Sequence, residues 1–258
     1  MTNPVIEPVE ITTPPPSSPV AWRDAMVAEA RPETPSARRI VLDIPGWPGN
    51  EAGQHLDVRL TAPDGYQASR SYSIASSGPS TRVELAVDKL VDGEVSPFLV
   101  DELEVGDTIE THGPLGGYFV WTPSADPRPV QLIAGGSGVV PLLAMARAHA
   151  ATADPTPFRL LYAVRTPDDV FYRAELAELT THPGFELDFV YSRTAPPGAT
   201  VPAGRITMDA LAGFVVPASM RPRLFLCGST GFVERVAGWL QELGHAAGDI
   251  RTERFGGS

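Results

Sequence analysis

The sequence predicts two domains: an N-terminal antiparallel β-barrel followed by an α/β domain built on a parallel sheet. Three observations carry that prediction. Short, partly alternating β-rich runs separated by Gly, Pro and Asp-Gly signals occupy the first half of the chain. A proline-rich break, Pro123–Pro129 (PSADPRP), interrupts it. Beyond the break the hydrophobic period changes, and buried strand-like runs alternate with helical ones.

Residues 1–20 contain six prolines and little apolar bulk, so they are expected to form a disordered tail whose ordering entropy has no compensating burial. Residues 21–124 are expected to form the barrel. Strands are predicted over Arg39–Ile44, Gln54–Leu60, Arg70–Ala75, Arg82–Val87 and Thr108–Thr111. One short helix is predicted over Ser96–Leu103, capped by Ser96 with Pro97 in its first turn. Residues 125–258 are expected to form the α/β domain. Its predicted strands are Pro129–Ala134, Phe158–Val164, Glu186–Tyr191 and Arg223–Cys227. Its predicted helices are Val139–Ala150, Phe171–Leu179, Met208–Phe214 and Phe232–Leu243.

Composition narrows the function. The 258 residues carry 20 Lys+Arg against 31 Asp+Glu, a formal charge of −11, which argues against nucleic acid as the partner. The single cysteine, Cys227, excludes an internal disulfide framework and any multi-cysteine zinc or iron–sulfur site. No apolar run approaches the roughly 20 residues of a membrane helix, and no secretory leader is evident. The expectation is a cytoplasmic monomer that meets neither membrane nor nucleic acid. The five histidines (His55, His112, His149, His182, His245) are scattered without ligand spacing, so no metal site is expected.

Three segments point to chemistry. Leu132-Ile133-Ala134-Gly135-Gly136-Ser137-Gly138-Val139-Val140-Pro141 is a strand-to-helix glycine turn of the kind that brings backbone N–H groups to a pyrophosphate. Such turns are also common without a ligand. Arg70-Ser71-Tyr72-Ser73-Ile74 offers a cation, a ring and hydroxyls on one strand. That set suits a flat ligand with a phosphate tail, but it also suits an ordinary half-buried strand. Val87-Asp88-Lys89 with Gly93-Glu94-Val95-Ser96 leads into a helix N-terminus, which serves a second pyrophosphate or simple capping equally well.

Taken in order, these segments resemble the ferredoxin–NADP(+) reductase superfamily. Further markers in the same order are Gly113-Pro114-Leu115-Gly116, Tyr191-Ser192-Arg193, Cys227-Gly228-Ser229-Thr230-Gly231 and Thr252-Glu253-Arg254-Phe255-Gly256. The resemblance runs from about Val20 to the C-terminus. It implies an FAD-binding barrel and a nicotinamide-nucleotide domain. Arg70 is then expected on an FAD phosphate, Tyr72 on the flavin ring and Ser73 beside flavin N5, with Ser71 and Ile74 completing that strand. Val87 and Lys89 are expected to border the FAD, although a lysine lacks the bidentate fork of an arginine. Gly93, Val95 and Ser96 are expected to cradle its pyrophosphate. Gly136, Ser137, Gly138 and Pro141 form the expected nucleotide turn, and Cys227 with Gly228 is expected against the nicotinamide.

Arg165, Ser192 and Arg193, at the ends of two α/β strands, are expected to meet a 2′-phosphate. They favour NADPH, with NADH as the alternative; pairing of these arginines with Asp168 or Asp169 is the competing explanation. Arg205 is a further candidate. Phe255 is expected to shield the flavin, and Glu253 to relay a proton to it. Ser73, Cys227 and Glu253 are the expected catalytic set.

The function so implied is an FAD-dependent reductase that takes hydride from NADPH and passes single electrons to ferredoxin, flavodoxin or an oxygenase component. A flavin or ferric reductase for small acceptors, and a non-catalytic FAD- or nucleotide-binding subunit, are the alternatives.

Overall fold

A computed structural model describes residues 21–255 apart from 124, 125, 127 and 153. The expected tail 1–20, part of the expected linker and Gly256 lie outside the described residues.

Six strands form the first sheet: β1 (Trp22–Thr34), β2 (Ala37–Asp43), β3 (His55–Thr61), β4 (Gln67–Ser73), β5 (Arg82–Asp88) and β6 (Thr108–Leu115). They run antiparallel in the order β4-β3-β6-β1-β2-β5. An isolated bridge, Ile74 to Leu85, with the Ala75 N–H on the Glu84 carbonyl at 2.8 Å, closes the sheet into a barrel. Alternate residues fill it: Ala25, Val27, Ile40, Leu42, Leu56, Val58, Val83, Leu85 and Val87 are all buried in one cluster.

The longest strand, β1, went unread in the sequence. Ala, Glu and Arg dominate Trp22–Thr34, and these favour helix locally. Pairing on both sides, with β2 and with β6, overrides that preference.

The predicted short helix is one wide turn, Phe98–Glu102, closed by the Leu103 N–H on the Phe98 carbonyl at 2.9 Å. Ser96 does not cap it. Its Oγ accepts the Leu90 N–H at 3.1 Å, tying the preceding loop to the helix instead.

The second sheet is wholly parallel, order β11-β10-β7-β8-β9: β7 (Val130–Gly135), β8 (Phe158–Val164), β9 (Phe185–Tyr191), β10 (Arg223–Ser229) and β11 (Ile250–Phe255). Its helices are α1 (Val139–Ala150), α2 (Arg173–Leu179), α3 (Met208–Phe214) and α4 (Thr230–Glu242). Apolar residues of alternate parity serve the two faces: Leu132 and Ala134 join a cluster with α1, Ile133 and Leu226 one with α3 and α4.

The first of those clusters crosses the boundary between the sheets. It takes Ala37, Ala52, Ala75, Ala86, Phe119 and Trp121 from the barrel side. Polar ties join the same boundary: the Arg251 guanidinium donates to the Val120 carbonyl at 2.9 Å, and the Tyr172 N–H donates to the Glu33 carboxylate.

Candidate functional site

In the parallel sheet the chain runs β7 to β8 to β9 in one direction, then returns to place β10 on the other side of β7. Such a reversal leaves a crevice at the carboxyl ends of the two flanking strands. Both glycine turns sit there, Gly135–Gly138 at the end of β7 and Gly228–Gly231 where β10 passes into α4. Their glycines have different reasons. A Cβ on Gly135 or Gly228 would come within 2.7 or 2.8 Å of the Phe232 ring, and one on Gly138 within 2.3 Å of the Cys227 carbonyl oxygen. These three are required by close packing. Gly136 has φ +57° and open space where a Cβ would stand, so its bare backbone faces the crevice just before the N-terminus of α1.

The crevice opens into a cavity of about 460 Å³. It is lined by Gly136 and Ser137, by Arg165, Ser192, Arg205 and Arg235, by Phe232 and Phe255, and by Asp88 of the barrel. Among the described residues none of the three arginines forms an ion pair. Asp168 pairs with Arg173 at 3.6 Å and Asp169 caps the turn after β8 through Thr166, so neither neutralises Arg165. Three such cations lining one cavity with the turn before α1 fit the phosphates of a dinucleotide.

Several expected residues stand elsewhere. Gly138 and Pro141 are buried behind the turn and do not line the cavity. Arg193 does not line it either; its N–H donates to the Arg165 carbonyl at 2.9 Å, and Arg205 and Arg235 occupy the wall in its place. Cys227 is 1% exposed in the core beneath the turn. Burial, with the Glu253 carboxylate beside it, pushes its thiol well above the usual range.

On the barrel, Arg70 donates to the Glu94 carboxylate at 2.8 Å, and the other Glu94 oxygen accepts the Tyr66 hydroxyl at 2.8 Å. An anion thus already sits on the guanidinium expected to hold a phosphate. Tyr72, half-buried against the barrel core, leaves part of its ring free. A cavity of about 700 Å³, lined by Tyr66, Glu94, Phe98, Leu60, Ala68 and Ile109 but not by Arg70 or Tyr72, shares Tyr66 and Glu94 with this cluster. These groups fit a dinucleotide with one stacking ring and a phosphate chain.

Ile74, Val87 and Val95, expected beside the FAD, are all buried in the barrel core. Ser71 points to the opposite face and donates to Asp57 at 2.5 Å. Lys89 pairs with Asp101 at 3.2 Å.

The two halves of the site meet through a histidine that sequence reasoning missed. His55 lies directly across from Ser73 in the β3–β4 pairing. Its Nδ1 is 3.4 Å from Oε1 of Glu253 on β11, and Glu253 pairs in register with Cys227. The hydrogen bond to Glu253 raises the His55 pKa above its ordinary 6.5; desolvation opposes this, and the charges of Glu253 and Asp57 add to it. The other Glu253 oxygen, Oε2, is buried without a hydrogen-bond partner among the described residues. No local pattern marks His55, because its partners are 18 and 198 positions away, by 73 − 55 and 253 − 55.

Comparison with known proteins agrees with the two-domain fold. Residues 31–120 match the oxidoreductase FAD-binding domain and residues 132–238 the oxidoreductase NAD-binding domain. The chain is 32% identical over 208 residues to the glycine betaine monooxygenase reductase subunit of Chromohalobacter salexigens, covering 79% of this chain and 55% of that one. The Amycolatopsis cytochrome P450 reductase GcoB superposes with a TM-score of 0.79 at 30% identity, covering 92% of this chain and 71% of that one. The flavohem-like FAD/NAD binding domain of nitric oxide dioxygenase from Vibrio cholerae does so with 0.79 at 25% identity, covering 91% and 99%. The chain spans about half the length of the curated relatives it matches, from 39% to 65%. Among the described residues no helix is long and apolar enough to cross a membrane.

Proposed function

Because the chain belongs to the ferredoxin–NADP(+) reductase superfamily, we propose that it is an FAD-dependent reductase that oxidises NADPH and delivers electrons to a separate protein. The observation that carries this reading is the contact between the two halves of the site. His55, paired across the barrel strands with Ser73, comes within 3.4 Å of Glu253, which is in register with Cys227 on the parallel sheet. Bound FAD supplies a hydride acceptor that releases electrons singly. The chain's own residues do the rest. Arg70 exchanges Glu94 for a phosphate, and Tyr72 offers its ring to the flavin. Gly136 and the start of α1 hold the nucleotide pyrophosphate. Phe255, 39% exposed at the cavity, covers the ring face and moves aside for nicotinamide. His55 and Glu253 hold a proton between them beside Ser73.

NADPH is favoured over NADH because Arg165, Arg205 and Arg235, without an ion pair among the described residues, line the cavity proposed to take the adenosine end. The acceptor lies outside these 258 residues, whose single cysteine cannot hold an iron–sulfur cluster. Relatives named as reductases of a monooxygenase and of a cytochrome P450 support an oxygenase component, ahead of a ferredoxin or flavodoxin.

The test is the visible spectrum of the purified protein before and after anaerobic NADPH and NADH. Flavin bands that bleach with NADPH, and more slowly with NADH at equal concentration, support the proposal. A colourless protein that takes up no added FAD overturns it.

A further inference from the structure

Helix α1 is tied to its surroundings at its far end by Arg147. Arg147 stands nine residues beyond Gly138, about 13 Å along a rigid helix. Its guanidinium contacts both the barrel wall and helix α2. Nη1 donates to the Ala75 carbonyl at 2.9 Å, and Nη1 and Nη2 reach the Glu84 carboxylate at 3.2 and 3.1 Å. Nε and Nη2 hold Glu175 on α2 at 2.5 and 2.7 Å. Ala75 and Glu84 are the residues whose 2.8 Å backbone bond closes the barrel, and Ala75 lies two positions beyond Ser73.

We propose that Arg147 is a positioning residue that fixes the Ser73 end of the flavin strand to the helix bearing the nucleotide turn, and so sets the alignment of the two cofactors for hydride transfer. This rests on the reductase reading given above. The geometry needs an arginine: the planar fork holds a carbonyl and two carboxylates at once, whereas a lysine ammonium is a single point on a flexible stem. Glu175 provides the internal control. Removing it frees one side of the fork but leaves α2 docked through the Tyr172 N–H on Glu33, and leaves the bonds to Ala75 and Glu84 in place.

The experiment compares wild type with Arg147→Met, Arg147→Lys and Glu175→Ala. In the flavin-free proteins, hydrogen exchange at the Ala75 amide should accelerate at least about tenfold in both Arg147 variants and stay near wild type in Glu175→Ala. In the FAD-loaded proteins under saturating NADPH, flavin bleaching should slow at least about tenfold in the Arg147 variants. A primary isotope effect from deuterated NADPH should accompany that slowing, with FAD content and NADPH affinity within about twofold of wild type. If Arg147→Met does not fold, Arg147→Lys is judged on the same readouts. Unchanged exchange and bleaching in a folded Arg147 variant, or an equal loss in Glu175→Ala, overturns the positioning role alone. Wild-type protein that binds FAD but never bleaches overturns the reductase reading, and this proposal with it.

Discussion

Nδ1 of His55, on a barrel strand, lies 3.4 Å from Oε1 of Glu253, on the last strand of the parallel sheet. The hydrogen bond to that carboxylate lifts the imidazole pKa above its ordinary 6.5. A histidine whose folded pKa is raised adds stability that is fully present below the unfolded value and is lost as pH rises through the folded value. Glu253→Gln should therefore bring the His55 titration, followed by NMR, down towards 6.5. The melting temperature of wild type should exceed that of the variant most at mildly acidic pH, where imidazoles are protonated and carboxylates ionised, with the histidine contribution to the gap fading above the raised pKa. A gap that widens with rising pH would show that the pairing works through some other group.

Tyr72 offers its ring from the edge of the barrel core. Aromatic stacking contributes about 0.5–1.5 kcal/mol beyond buried area, so Tyr72→Ala should weaken FAD about tenfold or more, read by titration of the flavin-free protein. Unchanged affinity would assign the ring to packing alone.

The arginine wall separates the two nucleotides. A hydrogen bond to a charged group is worth about 1.5–3 kcal/mol. Arg205→Glu and Arg235→Glu should each weaken NADPH at least about tenfold more than NADH. Arg193→Glu, whose side chain does not line the cavity, should discriminate less. Equal losses for both nucleotides in all three variants would remove the 2′-phosphate argument.

Two glycines should respond in opposite directions to alanine. At Gly138 a Cβ would stand 2.3 Å from the Cys227 carbonyl oxygen, and the obstacle is backbone that cannot swing away. Gly138→Ala should lower the melting temperature and loosen the nucleotide turn. Gly238, inside α4, has open space at its Cβ position, so Gly238→Ala should gain about 0.5–1 kcal/mol by helix propensity and reduced unfolded-state entropy. Thermal melts of the two variants check both signs.

Much of the fold was legible in the sequence because its signals are local. The apolar runs at Phe158–Val164 and Arg223–Cys227, and the helical patterns at Val139–Ala150 and Met208–Phe214, coincide with observed elements to within two residues. The two glycine turns were legible as well, although packing against Phe232 and Cys227, not a ligand, explains three of their glycines. Strand β1 was not legible, since Ala, Glu and Arg give no strand pattern until β2 and β6 supply hydrogen-bond partners on either side.

The sequence by itself determined the order of the two sheets, the strand carrying Arg70 and Tyr72, and the turn at Gly136, because backbone conformation and burial period are written in consecutive residues. Only the tertiary structure decided which side chains share a site. It buried Ile74, Val87 and Cys227, replaced Arg193 with Arg205 and Arg235 on the cavity wall, and brought His55 to Glu253. Those outcomes depend on strand register and on the seating of one sheet against the other. Both are set by the summed packing of residues far apart in the chain, and no short segment encodes either.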